Sequence, residues 1–422
     1  MKEDFLHYVW QFKKFDVLNV KTVQGQDMFI LNTGQYLQVA GPDFFNAQIT
    51  IGGQKWAGNV EIHLKSSDWY IHNHERDAAY DSVILHVVWE HDTEVFRQDN
   101  TEIPVLELKH YVSKDILGSY NALVAAKSWI FCEKEISGID RFVFENWKER
   151  LFFERLERKS QPILNLAKAA GYDWEAVLFD FIAKNFGLNT NGEIFYAIAQ
   201  SLPFSVVRRE SFEYENLEAL FFGRAGLLEA DHEDLYFKDL KRRYDYICHK
   251  YRIEPVYIDP LQFFKHRPDN FPTIRLAQLA QLYHKHQNLF SKITEAASIE
   301  DIYTLFDAAV PEYWQTHYTF DKESAKKRKS LTHSFIDLIV MNTIVPFKFA
   351  YGRHIGKENT ESLVEMLKNI TPEKNAIIDK FKFFKAEINS AYDTQSLLQL
   401  KNEYCAHKRC LQCAVGLELL KK

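Results

Sequence analysis

The sequence predicts an α/β domain at the N-terminus followed by a larger, mainly α-helical domain. Three observations carry that prediction. Residues 60–65 alternate Val60, Ile62 and Leu64 with Glu61, His63 and Lys65, the period of two that gives a strand one apolar and one polar face. A Gly52-Gly53 pair separates two such runs, which is a hairpin signal. Beyond residue 112 the apolar spacing becomes helical and the charge changes: residues 1–112 carry 9 Lys/Arg against 16 Asp/Glu, the other 310 carry 43 against 42. The expected domains are therefore 1–112 and 113–422.

In chain order, "EDFLHYVWQFKKF" sets Phe5, Leu6, Val9, Trp10 and Phe12 at helical spacing. "MFILNTGQYLQVAG" is β-rich in composition. Gly41-Pro42-Asp43 reads as a turn. A strand from Gln48 then runs into the Gly-Gly hairpin and the strand bearing Glu61. Ser66, Ser67 and Asp68 suit the cap of a following helix. "SVILHVVWEHD" is apolar enough for a buried strand. Downstream, "FVFENWKERLFFERLERKSQPILNLAKAA" is a long amphipathic helix with Glu/Arg pairs at helical spacing. "YENLEALFFGRAGLL" and "FPTIRLAQLAQLYHKH", the latter opened by Pro272, read as further helices.

The chemistry concentrates between Asp43 and Asp92. Asp43 begins the spacing D-x17-E-x-H-x-K, which ends on Glu61, His63 and Lys65. Five of the 16 histidines fall between His63 and His91, where an even spread would place about one; carboxylates and imidazoles at this density are material for a divalent-metal site. Asp43 and Glu61 supply oxygens of the kind Mg²⁺ or Mn²⁺ takes. His63 would orient a water or ligate the metal itself, which brings Zn²⁺ into range. His72 and His74 are further candidate ligands. Plainer readings stand beside these. Glu61, His63 and Lys65 also fit the wet face of an antiparallel sheet, and Asp43 a solvated turn residue. His72 and His74 also fit a solvated helix start, and His86 a hydrogen-bonded core histidine.

The order helix, strands, hairpin, helix, strand resembles the core of the PD-(D/E)xK, or restriction-endonuclease-like, nuclease superfamily. The resemblance rests on Pro42-Asp43 and Glu61-x-His63, and His63 departs from it by standing where the superfamily has lysine. It implies a mixed sheet flanked by helices and Mg²⁺-dependent hydrolysis of phosphodiesters. Asp43 and Glu61 would hold the metal, and His63, with Lys65 in reserve, would orient the water. Over nearly the whole chain, "FLHYVW", "GPDFFNAQI", "W-x-GNVEIH", "SSDWYIHNH", "AYDSVILHVVWEHD", "HRPDNFPTIRLAQLA" and the C-terminal "YC-x4-CLQC" together are similar to the DUF2851 family, a resemblance that implies no substrate.

At the C-terminus Cys405, Cys410 and Cys413 follow C-x4-C-x2-C. A closed zinc site or an iron–sulfur cluster needs a fourth ligand, for which Cys132 is the first candidate, with Cys248 and His407 behind it. Some nucleases of the resembled superfamily hold an iron–sulfur cluster on one distant and three C-terminal cysteines, at a spacing this chain does not match. The alternative is that these cysteines pack as small hydrophobes.

The acidic first domain disfavours a phosphate backbone, so nucleic acid, if it is the partner, would be gripped by the helical part. Lys238, Lys241, Arg242, Arg243, Lys250 and Arg252, interleaved with tyrosines, are candidates, as is Lys326–Lys329; a solvated helix face is the alternative for each. Arg267, Asn270 and Arg275 around two prolines form either a binding loop or a junction between helices. An odd number of cysteines, five, argues against a secreted disulfide scaffold. With no leader or long charge-free apolar run, the expectation is a cytoplasmic protein without membrane partners. Two rivals to the nuclease reading remain open. One is a metallohydrolase of small substrates using His63, His72, His74 and Asp77. The other is a non-catalytic module that binds nucleic acid or protein on a degenerate nuclease fold.

Overall fold

The computed structural model describes residues 2–36, 41–125, 128–264, 266–320, 322–357 and 360–421. They divide into two compact units, Met1–Trp147 with Leu400–Lys422, and Lys148–Gln399. The first holds helix α1 (Glu3–Gln11) and strands β1 (Met28–Asn32), β2 (Gln35–Tyr36), β3 (Phe44–Ile51), β4 (Gln54–Lys65), β5 (Val83–Glu90) and β6 (Val105–Glu107). Residues 37–40, which end the expected β-rich run, lie outside the described residues. The sheet order is β1-β3-β4-β5-β6, with β2 also paired to β3. β1, β3 and β4 are antiparallel neighbours, whereas β4, β5 and β6 run parallel. The expected mixed sheet with flanking helices is present, beside a larger helical part.

The β3–β4 hairpin forms where the glycines require it. Ile51 pairs with Gln54, and Gly52 and Gly53 have φ of 57° and 84°, the two left-handed residues of a two-residue turn. One face of β4 and β5, with Val60, Ile62, Leu85 and Val87, packs on Phe5, Leu6, Val9 and Trp10 of α1. The opposite face is covered by the β4–β5 connection, because parallel strands require a crossover. That connection was expected to be a helix. It is instead one turn, α2 (Asp68–Ile71), and two short 3₁₀ turns. Asn73 takes a φ of 60°, which stops the helix. The serines do not cap α2: Ser66 Oγ, Ser67 N and Ser67 Oγ all donate to Asp92, at 3.0, 2.9 and 2.8 Å, and clamp the ends of β4 and β5 together.

Gly58 sets how closely β4 and β5 approach. A Cβ there would collide with Ile84 Cγ2 and stand 2.7 Å from the Ser82 carbonyl oxygen. Gly58→Ala is expected to cost about 1–3 kcal/mol, the range for overpacking, read as a lowered thermal transition. An unchanged transition would mean the strands separate there without cost.

The first unit extends beyond the expected boundary at 112. Tyr120, on α3 (Lys114–Ala125), packs on Phe5 at 4.4 Å between ring centroids, Leu411 enters the same apolar core, and Trp147 meets Tyr404 at 5.1 Å. Residues 113–147 and 400–422 therefore group with the sheet rather than with a separate helical domain. Helical periodicity reports local structure, not which core receives the apolar face.

The second unit is helical around one large apolar core that includes Phe179, Phe186, Phe221, Phe222 and Trp314. Among the described residues, His333–His354 is the one stretch long and apolar enough to cross a membrane, and 83% of its apolar window is buried. A π turn at Val340–Ile344 stands just before Pro346 within this continuous helix and accommodates the proline's ring and missing N–H.

Candidate metal centre

A β-bulge places the first carboxylate. Phe44 pairs with Val60 and Ala47 with Gly58, so β3 has one extra residue over that step. Asn46 takes it up with a φ of 56°, and its N–H donates to Asn59 Oδ1 at 3.2 Å. The result seats Asp43 against the polar edge of β4. The Asp43 N–H donates to Glu61 Oε2 at 3.1 Å, and the Ile62 N–H donates to Asp43 Oδ2 at 3.1 Å. His7, from α1, reaches the same Oδ2 with Nε2 at 3.0 Å.

Glu61 and His63 are 5% and 2% exposed, so the wet-face reading does not hold for them. β4 is an interior strand, and the crossover lies over these side chains. Glu61 Oε1 is 3.4 Å from His63 Nε2 and 3.4 Å from His74 Nε2. His72 Nδ1 is 3.1 Å from His63 Nε2. One nitrogen from each of His63, His72 and His74 lies within 4.8 Å of the other two. On its far side, His63 Nδ1 meets His86 Nε2 at 2.9 Å. His86 is fully buried, and its Nδ1 has no partner among the described residues. Tyr80 stacks on His74 at 3.8 Å.

The electrostatics follow from this enclosure. Burial, and then Asp43 beside it, push the Glu61 carboxyl up to about 9. Burial, and then His86, hold His63 down to about 2, and His86 is lowered to about 3, again mainly by burial. His63 is therefore a neutral imidazole with a lone pair to offer, the state a metal ligand needs. Two carboxylates and three imidazoles, crowded and short of positive charge, are a donor set that fits a divalent cation.

Lys65 is not part of this group. It is exposed at the end of β4, and its charge is felt by Asp92. Asp77 accepts from Ala79 N at 2.9 Å and closes a local turn. Three neighbours of the centre were not singled out from sequence: His7, Glu3, whose carboxyl is raised by burial and senses His7 and Asp43, and Tyr80. Glu3 and His7 stand four apart on α1, on its polar side with Asp4 and Gln11, and that was the available signal. The four cysteines gather elsewhere in the same unit.

The candidate cationic grips are largely occupied. Lys238, Lys241, Arg242 and Arg243 pair with Glu233, Asp231, Asp239 and Glu213, and Lys250 with Glu210 at 2.7 Å. Lys326 and Lys327 pair with Glu312 and Asp269, and Lys329 is buried on main-chain carbonyls. Arg275 is buried against Phe335 and donates to Gln278 and Asn270, the geometry of a tied helix junction.

The model of a family described as a protein of unknown function, DUF2851, matches residues 3–376. The chain belongs to the DUF2851 family. No curated protein and no solved structure matches it. In this DUF2851 member the matched span includes Asp43, Glu61 and all the histidines of the centre, while the C-terminal motif with Cys405, Cys410 and Cys413, counted above as part of the resemblance, lies beyond it.

Proposed function

We propose that this protein is a metal-dependent hydrolase of phosphodiester bonds, acting on nucleic acid from a restriction-endonuclease-like domain. The observation that carries the reading is the pairing of Asp43 with Glu61 across the β3–β4 bulge, with His63 next along the strand. Antiparallel β3–β4 followed by parallel β4–β5 is the sheet order that accompanies it. A divalent cation bound there would polarise the phosphodiester and activate water. Asp43 and Glu61 would hold it, with Asp43 fixed by His7 and the Ile62 N–H. Neutral His63, backed by His86, would accept a hydrogen bond from the attacking water or ligate the ion.

The test is cleavage of single- and double-stranded DNA and RNA with Mg²⁺ or Mn²⁺. Asp43→Ala and Glu61→Ala are each expected to remove cleavage. A wild-type protein inactive on all four substrates with both ions would overturn the reading.

One observation favours a second reading. Three imidazole nitrogens within 4.8 Å and a carboxylate at 3.4 Å suit a borderline metal such as Zn²⁺ or Mn²⁺ better than Mg²⁺, as in a metallohydrolase of small substrates. In that case Glu61, not Asp77, is the oxygen ligand. Hydrolysis of a small diester or ester with Zn²⁺, lost in His72→Ala and His74→Ala, would select it. Mg²⁺-dependent nucleic-acid cleavage that survives those substitutions would reject it.

A further inference from the structure

Cys132, Cys405, Cys410 and Cys413 line one small apolar pocket, with Phe131 and Leu400 in its wall. The four come from two distant stretches of the first unit. Cys132, Cys410 and Cys413 are placed by turns, and Cys405 by the end of a helical segment. Cys405 ends the π turn Leu400–Cys405, Cys410 opens the 3₁₀ turn Cys410–Gln412, and Cys413 precedes the short helix Ala414–Leu419.

One local feature brings the last two cysteines close. A Cβ on Gly416 would collide with the Cys410 carbonyl oxygen, so only glycine lets the last helix close on that turn. Burial pushes the Cys413 thiol up, as it does those of Cys132, Cys405 and Cys410. The other three cysteines lie close enough to Cys413 to feel its charge. Four thiols crowded in an apolar pocket give up their protons only where a cation takes their place. All four are free of disulfides.

We propose that these four cysteines form a thiolate-ligated metal centre, either one zinc ion or an iron–sulfur cluster, which fixes the 405–413 segment. That segment has a second role in the unit. Arg409, Leu411 and Gln412 line the cleft that also contains His7, the residue bonded to Asp43. The thiolate centre thereby sets one wall of the cleft that His7 lines. Lys401 Nζ, donating to the Trp129 carbonyl at 2.9 Å, ties the two cysteine-bearing stretches next to the pocket. The metal's binding energy would appear as order in this loop. The existence of the centre does not depend on the hydrolase reading; only its bearing on the cleft does.

The test is metal and acid-labile sulfide content of the full chain purified without oxygen, for the wild type and Cys132→Ser, Cys410→Ser and Cys248→Ser. The wild type and Cys248→Ser are expected to hold about one zinc, or about four iron with as much sulfide and visible absorption. Cys132→Ser and Cys410→Ser should lose it, and trypsin should then cut at Lys408 or Arg409, where loaded protein resists. If those variants do not fold, the wild type decides through Co²⁺ replacement of zinc, read as a thiolate charge-transfer band, or through the cluster's own absorption. An Asp43→Ala/Glu61→Ala protein keeps the centre, so loss of hydrolysis and loss of this metal are separately visible. The proposal is overturned if the wild type lacks both metals and takes up neither Zn²⁺ nor Fe²⁺ with sulfide. Retention of the metal at full occupancy by folded Cys132→Ser also overturns it.

Discussion

Replacing Glu61 by glutamine is expected to remove hydrolysis and, in chelated protein, to raise the thermal stability at neutral and higher pH. The two effects have one cause. Glu61 is buried beside Asp43, and its carboxyl is raised from 4.5 to about 9. Between those values the folded chain holds a proton that the unfolded chain has released. The stability this group contributes is therefore complete below about pH 4.5, falls as pH rises, and is gone above about pH 9. Near pH 7 the cost amounts to on the order of 3 kcal/mol. Glutamine has no proton to take up. Its oxygen accepts from the Asp43 N–H as Glu61 Oε2 does, and its amide donates toward His63 or His74. The gain should vanish near pH 4 and grow toward pH 8 in melts recorded with EDTA. Loss of a metal-holding carboxylate is worth several kcal/mol in the transition state, on the order of a thousand-fold in rate. Melting curves that stay parallel to wild type from pH 4 to 9 would remove the destabilising role. Unaltered hydrolysis would remove Glu61 from the site.

Much of this centre was legible because it is local. The Gly52-Gly53 turn and the alternation of β4 are properties of adjacent residues, and they placed Glu61 and His63 on one face. What covers that face was not legible. The same alternation serves a wet antiparallel sheet, and the outcome depends on β5 pairing parallel to β4, which forces the crossover over Glu61. The alignment of Asp43 with Glu61 likewise depends on a bulge at Asn46, and one residue of register carries no hydrophobic signature there. His86 reads from sequence as a core histidine. It is one, and it is also the partner of His63.

The missed features are the non-local ones. Lys241, Arg243 and Lys327 look cationic in sequence, yet Asp231, Glu213 and Asp269 stand opposite them in the fold. The end of the chain reads as part of a helical domain, yet Leu411 is buried among Phe5, Leu6 and Val9. That return brings Cys405, Cys410 and Cys413 to Cys132, a meeting that spacing alone left as one pairing among several.

Asp393→Ala is expected to be the most destabilising single change in the second unit, by about 3–5 kcal/mol, the cost of breaking a buried ion pair from one side. Lys148 Nζ meets Asp393 Oδ1 at 2.7 Å, with the two side chains 2% and 8% exposed. Removing the carboxylate takes away a buried anion that the Lys148 ammonium is paired with. It also uncaps the helix Ala391–Gln399, because Asp393 Oδ2 accepts from Asn389 N, Ser390 N and Ser390 Oγ at 2.9, 3.1 and 3.2 Å. That loss adds about 1 kcal/mol. Two further variants separate the contributions. Asp393→Asn keeps an oxygen for the cap but not the charge, so it should recover only the smaller part. Lys148→Met with Asp393→Asn removes both charges, keeps the apolar stem and the cap, and should return close to wild type. Urea midpoints of the four proteins measure this directly. A double variant as unstable as Asp393→Ala would mean that packing, rather than an unbalanced buried charge, sets the loss.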